Sequence, residues 1–412
     1  MLNILINAYA CSPNWGSEPG MAWNWISNLA KYCELYIITE GEWKDEIEET
    51  VKVNPYGRNM HFYFNPVSDK VRQMCWNQGD WRFYYYYRQW QKKTLKIAEQ
   101  ICKEHKIDIT HQLNMIGFRE PGLLWKIKDI PFVWGPVGGM ELMPTGFLDG
   151  EPLKLKIAVY LKNFINSLQR RFQPNMLKAL KCAGSLTAAT KGVYDFVKEY
   201  HHKDIVLLNE TGCYERELPE KIIKDSFDLV WVGKFDYRKQ LGLAIETIAK
   251  LKGYQSLKLH IIGSGTEAEI KRYKSLAHLL GIDNMIVWHG KIPNTEVQKI
   301  MSHSDLFLFT SIMEGTPHVV LEAIQNALPV ICFDTCGQSG VVNESIGVKI
   351  EVRNKKRAIE DFSNAISILY NDRKRLIALS KNCAQRQKEL SWESKAKQMV
   401  DIYNKLLSGK TY

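Results

Sequence analysis

Short apolar runs alternate with helix-period patterns from one end of the 412-residue chain to the other, which is the signature of parallel sheets wrapped by helices. In the first half the runs predict strands over 2–8, 34–39, 61–65, 108–113, 131–137, 185–190 and 205–209. In the second half they predict strands over 228–234, 257–263, 285–290, 306–311, 329–333 and 348–352. Beyond 352 the pattern is helical only, ending in SWESKAKQMVDIYNKLL. The polar, charged stretch 214–226 separates the two series and reads as a linker. A chain of this length exceeds one hydrophobic core, so two α/β domains are expected, over 1–214 and 227–375, with a helical segment over 376–412.

Composition narrows this picture. Hydrophobic residues make up 45% and charged residues 24%, the balance of a chain that folds throughout. No apolar run is long enough to span a bilayer, and MLNILINAYA has no basic region ahead of its apolar residues, which argues against export. The nine cysteines are scattered, and Cys332 and Cys336 have no histidine at ligand spacing beside them. A reducing cytoplasm suits them, and no metal site is expected.

The formal charge of +10 matters mainly for where it sits. From 154 to 191 there are eight Lys or Arg and no Asp or Glu. In the same stretch Ile157, Leu161, Phe164, Ile165, Leu168 and Phe172 fall at helical spacing. This reads either as a helix packed on its own domain with a solvated basic face, or as one that lies on an anionic membrane surface. Nucleic acid is not an expected partner. From 71 to 93, Trp76, Trp81, Trp90 and four consecutive tyrosines interleave with Arg72, Arg82, Arg88, Lys92 and Lys93. That mixture suits a membrane interface, a core or a groove for stacking a sugar ring.

Doubly wound sheets bind ligands at the carboxyl ends of their strands, so the loops there carry the chemistry. The strongest signal is SIMEGTPHVVLEAIQNALPVICF over 311–333. Glu314 opens a tight loop, Thr316 is expected to cap the following helix and Pro317 to occupy its first turn. His318 and Glu322, four apart, share the face opposite Val319, Val320, Ala323 and Ala327. Two carboxylates so placed suit vicinal sugar hydroxyls, and amides at Gly315 and Thr316 suit an anion. The loop NWGSEPG over 14–20, with Gly16, either offers amides to a diphosphate or is a plain turn. Gly263, Gly265 and Ala268 satisfy a dinucleotide pattern, which raises an NAD-dependent oxidoreductase as a rival. Asp283 lies at about the separation of the ribose ligand but precedes its strand rather than ending it.

Glu314 and Glu322, within EGTPHVVLEA and followed by ALPVI, resemble the signature of family 4 of the retaining glycosyltransferases, whose members have the GT-B fold. VGKFDYRKQLGLAIETIAKL from Val232 is similar to the family segment whose basic residues clamp the donor diphosphate, here Lys234 and Lys239. HIIGSGTEAEI, IVWHGKI and WESKAKQMVDIY add weaker matches, the last to a helix that crosses back onto the first domain.

The resemblance implies two Rossmann-like domains facing a cleft, with the acceptor on 1–214, the nucleotide sugar on 227–375 and the 376–412 helices returning to the first domain. It implies ribose on Glu322, diphosphate on Lys234, Lys239 and the Gly315 and Thr316 amides, and sugar hydroxyls near Glu314. Gly16, Gly263 and Gly265 are expected along the donor. No protein nucleophile, metal or cofactor is called for beyond the donor itself. Bacterial capsule or lipopolysaccharide synthesis is implied, and the basic stretch 154–191 with the aromatic and basic residues of 71–93 adds the expectation of a lipid-linked glycan acceptor and a cytoplasmic protein peripheral on the inner face of the cell membrane.

The sequence departs from the pattern in three places. Lys234 replaces the usual arginine, Gln240 a usual glycine, and Trp134 and Gly135 stand where many members carry a catalytic histidine. His111, ending the run DITHQL, is a substitute candidate or a structural histidine. Nucleotide-sugar epimerases, sugar phosphorylases and a noncatalytic sugar-binding protein remain as alternatives.

Overall fold

The computed structural model describes residues 1–77 and 79–409. Seven parallel strands form the first sheet: β1 (Leu2–Asn7), β2 (Cys33–Thr39), β3 (Met60–Phe64), β4 (Ile109–Gln112), β5 (Phe132–Val137), β6 (Ala183–Ala188) and β7 (Val206–Leu207). Six more form the second: β8 (Phe227–Val232), β9 (Leu257–Ile262), β10 (Ile286–Gly290), β11 (Leu306–Phe309), β12 (Val330–Phe333) and β13 (Gly347–Ile350). The sheet orders are β3-β2-β1-β4-β5-β6-β7 and β10-β9-β8-β11-β12-β13. Both reverse direction beside their first strand, at β1/β4 and at β8/β11. Those reversals open a crevice at the carboxyl ends of the strands. All thirteen predicted runs lie on these strands, with ends moved by no more than two residues.

Burial on both faces explains why the strands are continuously apolar. Ile4 and Ile6 belong to one core cluster and Leu5, between them, to another, and all three are fully buried. Leu229 and Trp231 face one core of the second sheet, while Val230 faces the other. Together this is the GT-B arrangement of two Rossmann-like units.

The helix Trp392–Leu407 joins the first unit rather than the second. Trp392, Ala396, Met399, Ile402 and Tyr403 lie in the same cluster as Ile4, Trp25 and Leu29. Glu393 pairs with Lys31 and accepts from the Tyr32 hydroxyl, and these contacts hold its carboxyl down at about 2. The helix is described to Leu407, and residues 410–412 of the expected terminal segment lie outside the described residues. The chain passes between the two units through 208–213, where Cys213 and Trp392 exchange backbone bonds with Leu390 and Cys213.

The basic segment is a helix, Leu153–Phe172, but with the faces arranged otherwise than expected. Leu153, Ile157, Tyr160, Leu161, Phe164, Ile165, Leu168 and Phe172 are all exposed, Phe164 and Phe172 at 62% each. Arg170 and Arg171 are turned inward instead. Arg170 stacks on Phe196 at 4.1 Å and donates to the Met140 carbonyl, while Arg171 lies over Tyr200 at 5.3 Å. The free charge of this helix is therefore carried by its lysines, Lys154 and Lys162 being exposed.

The aromatic run of the 71–93 stretch also divides. Tyr87 and Trp90 pack with Tyr9 and Phe83 in the core, whereas Trp81, Tyr84, Tyr85 and Tyr86 are exposed. Three of its arginines are neutralised locally, Arg72 by Glu40, Arg82 by Asp80 and Arg88 by Glu120.

Candidate functional site

A short 3-10 turn, Tyr237–Lys239, follows β8 and is stitched onto the end of β11. Thr310 Oγ1 donates to the Lys239 carbonyl at 2.8 Å and Ile312 N to the Arg238 carbonyl at 2.9 Å. Trp231 Nε1 in turn donates to Thr310 Oγ1 at 3.0 Å, so the β8/β11 reversal is tied from both sides. Gln240 closes the turn with φ 52° and ψ 44°. A left-handed position costs an L-residue roughly 1–2 kcal/mol, which is why glycine suits this place. Its amide nitrogen offsets part of that by donating to the Tyr237 carbonyl at 2.8 Å.

This stitching delivers Lys239 to Glu314, with Nζ and Oε1 2.6 Å apart and both side chains mostly buried. Ser311 Oγ also donates to Glu314 Oε1 at 2.6 Å, and Lys239 lies over the Phe309 ring. Lys234, two residues past β8, is exposed. Gly263 has φ +138°, and a Cβ there would stand 1.8 Å from the Gly233 carbonyl oxygen. Its glycine thus lets the loops after β8 and β9 abut. Gly265 is confined by Phe235 and Glu269, and Thr266 and Glu269 cap the next helix reciprocally. The Thr266 and Glu269 amides at that helix start are thus bonded by the helix's own side chains.

The two units meet in a cavity of about 190 Å³ lined by Trp15, Gly16, Asn24, Tyr214, His318 and Glu322 among others. Gly16 and Glu322, 306 positions apart in sequence, thus share one wall-to-wall site. Gly16 precedes the helix Ser17–Leu29 and has open space where a Cβ would be. Glu322 is half-buried, and burial pushes its carboxyl up, with Asn294 Nδ2 at 3.5 Å.

Two expectations need correcting. Thr316 does not cap the helix, which runs His318–Gln325 with Pro317 at the cap position and no side-chain bond there. Instead both of its donors turn to Glu210, from the strap between the units: Thr316 N to Oε1 at 2.7 Å and Oγ1 to Oε2 at 2.5 Å. A Cβ on Gly315 would lie 2.8 Å from the same carboxylate. The Thr316 amide is therefore already matched to an anion that belongs to the protein.

The second correction is His111. It is fully buried, with Nε2 2.7 Å from the Gly135 carbonyl and Nδ1 2.6 Å from the Tyr403 hydroxyl. A carbonyl can only accept, so Nε2 carries the proton and Nδ1 accepts from Tyr403. The ring is held neutral, burial pushes its pKa down to about 4, and no ring atom is left to react. Its work is to join β4, β5 and the returning helix.

Three carboxylates at the cleft were not singled out from the sequence. Besides Glu210, Glu18 in the first turn of the helix Ser17–Leu29 accepts from Ile116 N at 2.9 Å, and Glu141 after β5 accepts from the Thr190 hydroxyl. Burial raises both carboxyls, and the Glu210 charge raises them further. The available signal was their place: each follows β1, β5 or β7 at the carboxyl edge of the sheet.

Residues 215–388 match the family model described as glycosyl transferases group 1. The lipopolysaccharide 1,6-galactosyltransferase of Escherichia coli (strain K12) is 29% identical over 133 residues, covering 31% of this chain and 36% of that protein. The N-acetylgalactosamine-N,N'-diacetylbacillosaminyl-diphospho-undecaprenol 4-alpha-N-acetylgalactosaminyltransferase of Campylobacter jejuni is 27% identical over 206 residues, covering 48% and 54%. The chain thus spans about a third to a half of the length of these curated relatives. Among solved structures, Anabaena HepE in complex with UDP superposes with a TM-score of 0.59 at 12% identity, covering 98% of this chain and all of that one. That likeness speaks for the fold.

Proposed function

We propose, from the match of residues 215–388 to the group 1 glycosyl transferases, that the whole chain is a retaining transferase moving a sugar from a nucleotide diphosphate to a glycan acceptor. The observation that carries this reading is the Lys239–Glu314 pair at the β8/β11 reversal. Without a donor the two neutralise each other. A nucleotide sugar would separate their tasks, the ammonium turning to the diphosphate and the carboxylate to the sugar hydroxyls. Glu322, across the cleft from Gly16, takes the ribose. Departure of the diphosphate leaves charge that Lys239, Lys234 and the amides at the start of the helix His318–Gln325 stabilise. The leaving phosphate then accepts the acceptor's proton on the face it departs from. Nothing in this scheme calls on a metal.

The acceptor reading extends to a lipid-linked glycan. Among the described residues no helix is long and apolar enough to cross a membrane. The exposed apolar side of Leu153–Phe172, flanked by Lys154 and Lys162, supports peripheral contact with an anionic surface. The relatives named for lipopolysaccharide and undecaprenyl-linked substrates support the same class of acceptor.

The test is slow hydrolysis of UDP-, GDP- and ADP-sugars in buffer containing EDTA. Cleavage of one base series is expected. Failure to bind or cleave any of them would contradict the transferase reading, and activity restored only by manganese would contradict its metal-free part.

A further inference from the structure

We propose that Trp15, Trp43 and Trp76 build a stacking platform for an uncharged pyranose ring, the place where a glycan acceptor meets the first unit. The proposal rests on the transferase reading for calling that glycan the acceptor, but not for the sugar binding itself.

The three indoles come from three segments at the carboxyl edge of the first sheet, after β1, β2 and β3. Ring centroids are 5.9 Å apart for Trp15 and Trp43, 5.4 Å for Trp43 and Trp76, and 6.2 Å for Trp15 and Trp76. Trp43 is the floor, buried in the same core cluster as Val71 and Met74. Trp15 and Trp76 lie on it and keep 56% and 44% of their surface open to solvent.

Each part is held in place by the fold. The helix Asp69–Trp76 buries Val71 and Met74, and its Arg72 donates to Glu40 Oε1 from Nε at 3.0 Å and from Nη2 at 2.8 Å. Trp76 Nε1 donates to the two Glu42 oxygens at 3.1 and 3.0 Å, which fixes the plane of its ring. Glu46 fixes the loop that carries Trp15, accepting from Ser12 Oγ at 3.3 Å and from Asn14 Nδ2 at 3.1 Å. The open ring faces are therefore set before any ligand arrives, which spares a ligand the cost of ordering them.

A pyranose has a face of C–H bonds inside a rim of hydroxyls. The face covers indole, and the hydroxyls donate to carboxylates. The carboxylates beside these indoles are Glu42 and Glu46, whose hydrogen-bond partners are neutral donors. Their charge stays free to repel a phosphate or an anionic headgroup, so the platform suits a neutral polyol and not the surface that the lysines of Leu153–Phe172 face. Trp15 also lines the cavity of about 190 Å³ that brings Gly16 and Glu322 together. The platform thus adjoins the donor cavity, as an acceptor sugar requires.

The test is saturation-transfer NMR on the full chain without nucleotide, with the methyl glycosides of glucose, galactose, mannose and N-acetylglucosamine as probes. At least one should receive saturation. Trp15→Leu and Trp76→Leu should each cut the transfer by about fivefold or more, and Trp76→Phe, which keeps a ring, should retain about half of it. The methyl glycoside of glucuronic acid should receive none. Transfer to none of the neutral probes, or transfer that both leucine variants leave unchanged, would overturn the platform. Stronger transfer to the glucuronide than to any neutral probe would overturn the uncharged class. Displacement of the glycoside by UDP, GDP or ADP would put it in the donor site and overturn the acceptor assignment. Loss of phosphatidylglycerol vesicle binding in the leucine variants, with no glycoside bound by wild type, would make the patch a membrane contact instead. None of the glycoside measurements needs a donor, so a wild type that binds a glycoside through the platform yet cleaves no nucleotide sugar would sink the transferase reading alone.

Discussion

Replacing Glu210 separates two ways of reading the donor loop. Its carboxylate accepts two bonds from Thr316, which is 6% exposed, and the strap that carries it is itself fixed. Trp25 Nε1 donates to the Glu210 carbonyl at 2.8 Å, Lys395 Nζ to the Asn209 carbonyl at 3.0 Å, and Asn209 Nδ2 to the Ala189 carbonyl at 2.7 Å. A carboxylate so anchored braces the loop from the junction of the two units. Hydrogen bonds to a charged group are worth about 1.5–3 kcal/mol each. Glu210→Gln keeps one acceptor and should cost about 2 kcal/mol. Glu210→Ala leaves both Thr316 donors unmatched and should cost about 3–5 kcal/mol, partly offset because Glu18 and Glu141 lose a like charge beside them. Urea unfolding gives the stabilities, and donor-hydrolysis kinetics should show KM for the nucleotide sugar rising more than kcat falls. Tighter nucleotide binding in Glu210→Gln at unchanged stability would refute the brace, because the carboxylate would then be competing with the diphosphate for the Thr316 amide.

Other outcomes follow from the same geometry. Lys239→Ala should lower kcat by roughly a hundredfold, as for other lost oxyanion donors, with stopped assays of donor hydrolysis as the check. Glu322→Ala should instead weaken nucleotide affinity in calorimetry, and unchanged affinity in a folded variant would remove it from the ribose site. His111 sits at about 4 in the folded protein against about 6.5 when unfolded, so the unfolded chain binds the extra proton. Its stabilising share is complete above about pH 6.5 and is lost as pH falls through about 4, up to about 3 kcal/mol, and the urea stability profile of His111→Gln should be flatter over that window. Lys154→Gln/Lys156→Gln/Lys162→Gln should release the protein from anionic liposomes at about 1 kcal/mol per charge while donor hydrolysis persists; a wild type that fails to sediment at low salt would contradict the membrane contact.

The strands were legible because a parallel strand is buried on both faces, so LFLF at β11 or LNILIN at β1 can be read without knowing its neighbours. The Glu314 and Glu322 spacing was legible for a related reason, since one short loop and helix carry both. What could not be read depends on partners far away in sequence. Glu210 and Thr316 are 106 residues apart, and a local rule assigned the threonine to its own helix. His111 faces Tyr403 across 292 residues, a contact that exists only because the last helix returns to the first sheet. Helical spacing located the apolar side of Leu153–Phe172 correctly, but spacing carries no information about which side meets the protein. The arginines Arg170 and Arg171 show this, for they turn inward onto Phe196 and Tyr200 while the phenylalanines of their own helix stay in solvent.

A crystal structure with the nucleoside diphosphate of whichever donor series the protein cleaves tests the central claim most directly. The account predicts ribose hydroxyls within hydrogen-bond distance of Glu322, the diphosphate against Lys239 with its pairing to Glu314 opened, and the Gly16 loop closing the other side. A nucleotide bound with the Lys239–Glu314 pair intact and Glu322 untouched would contradict it.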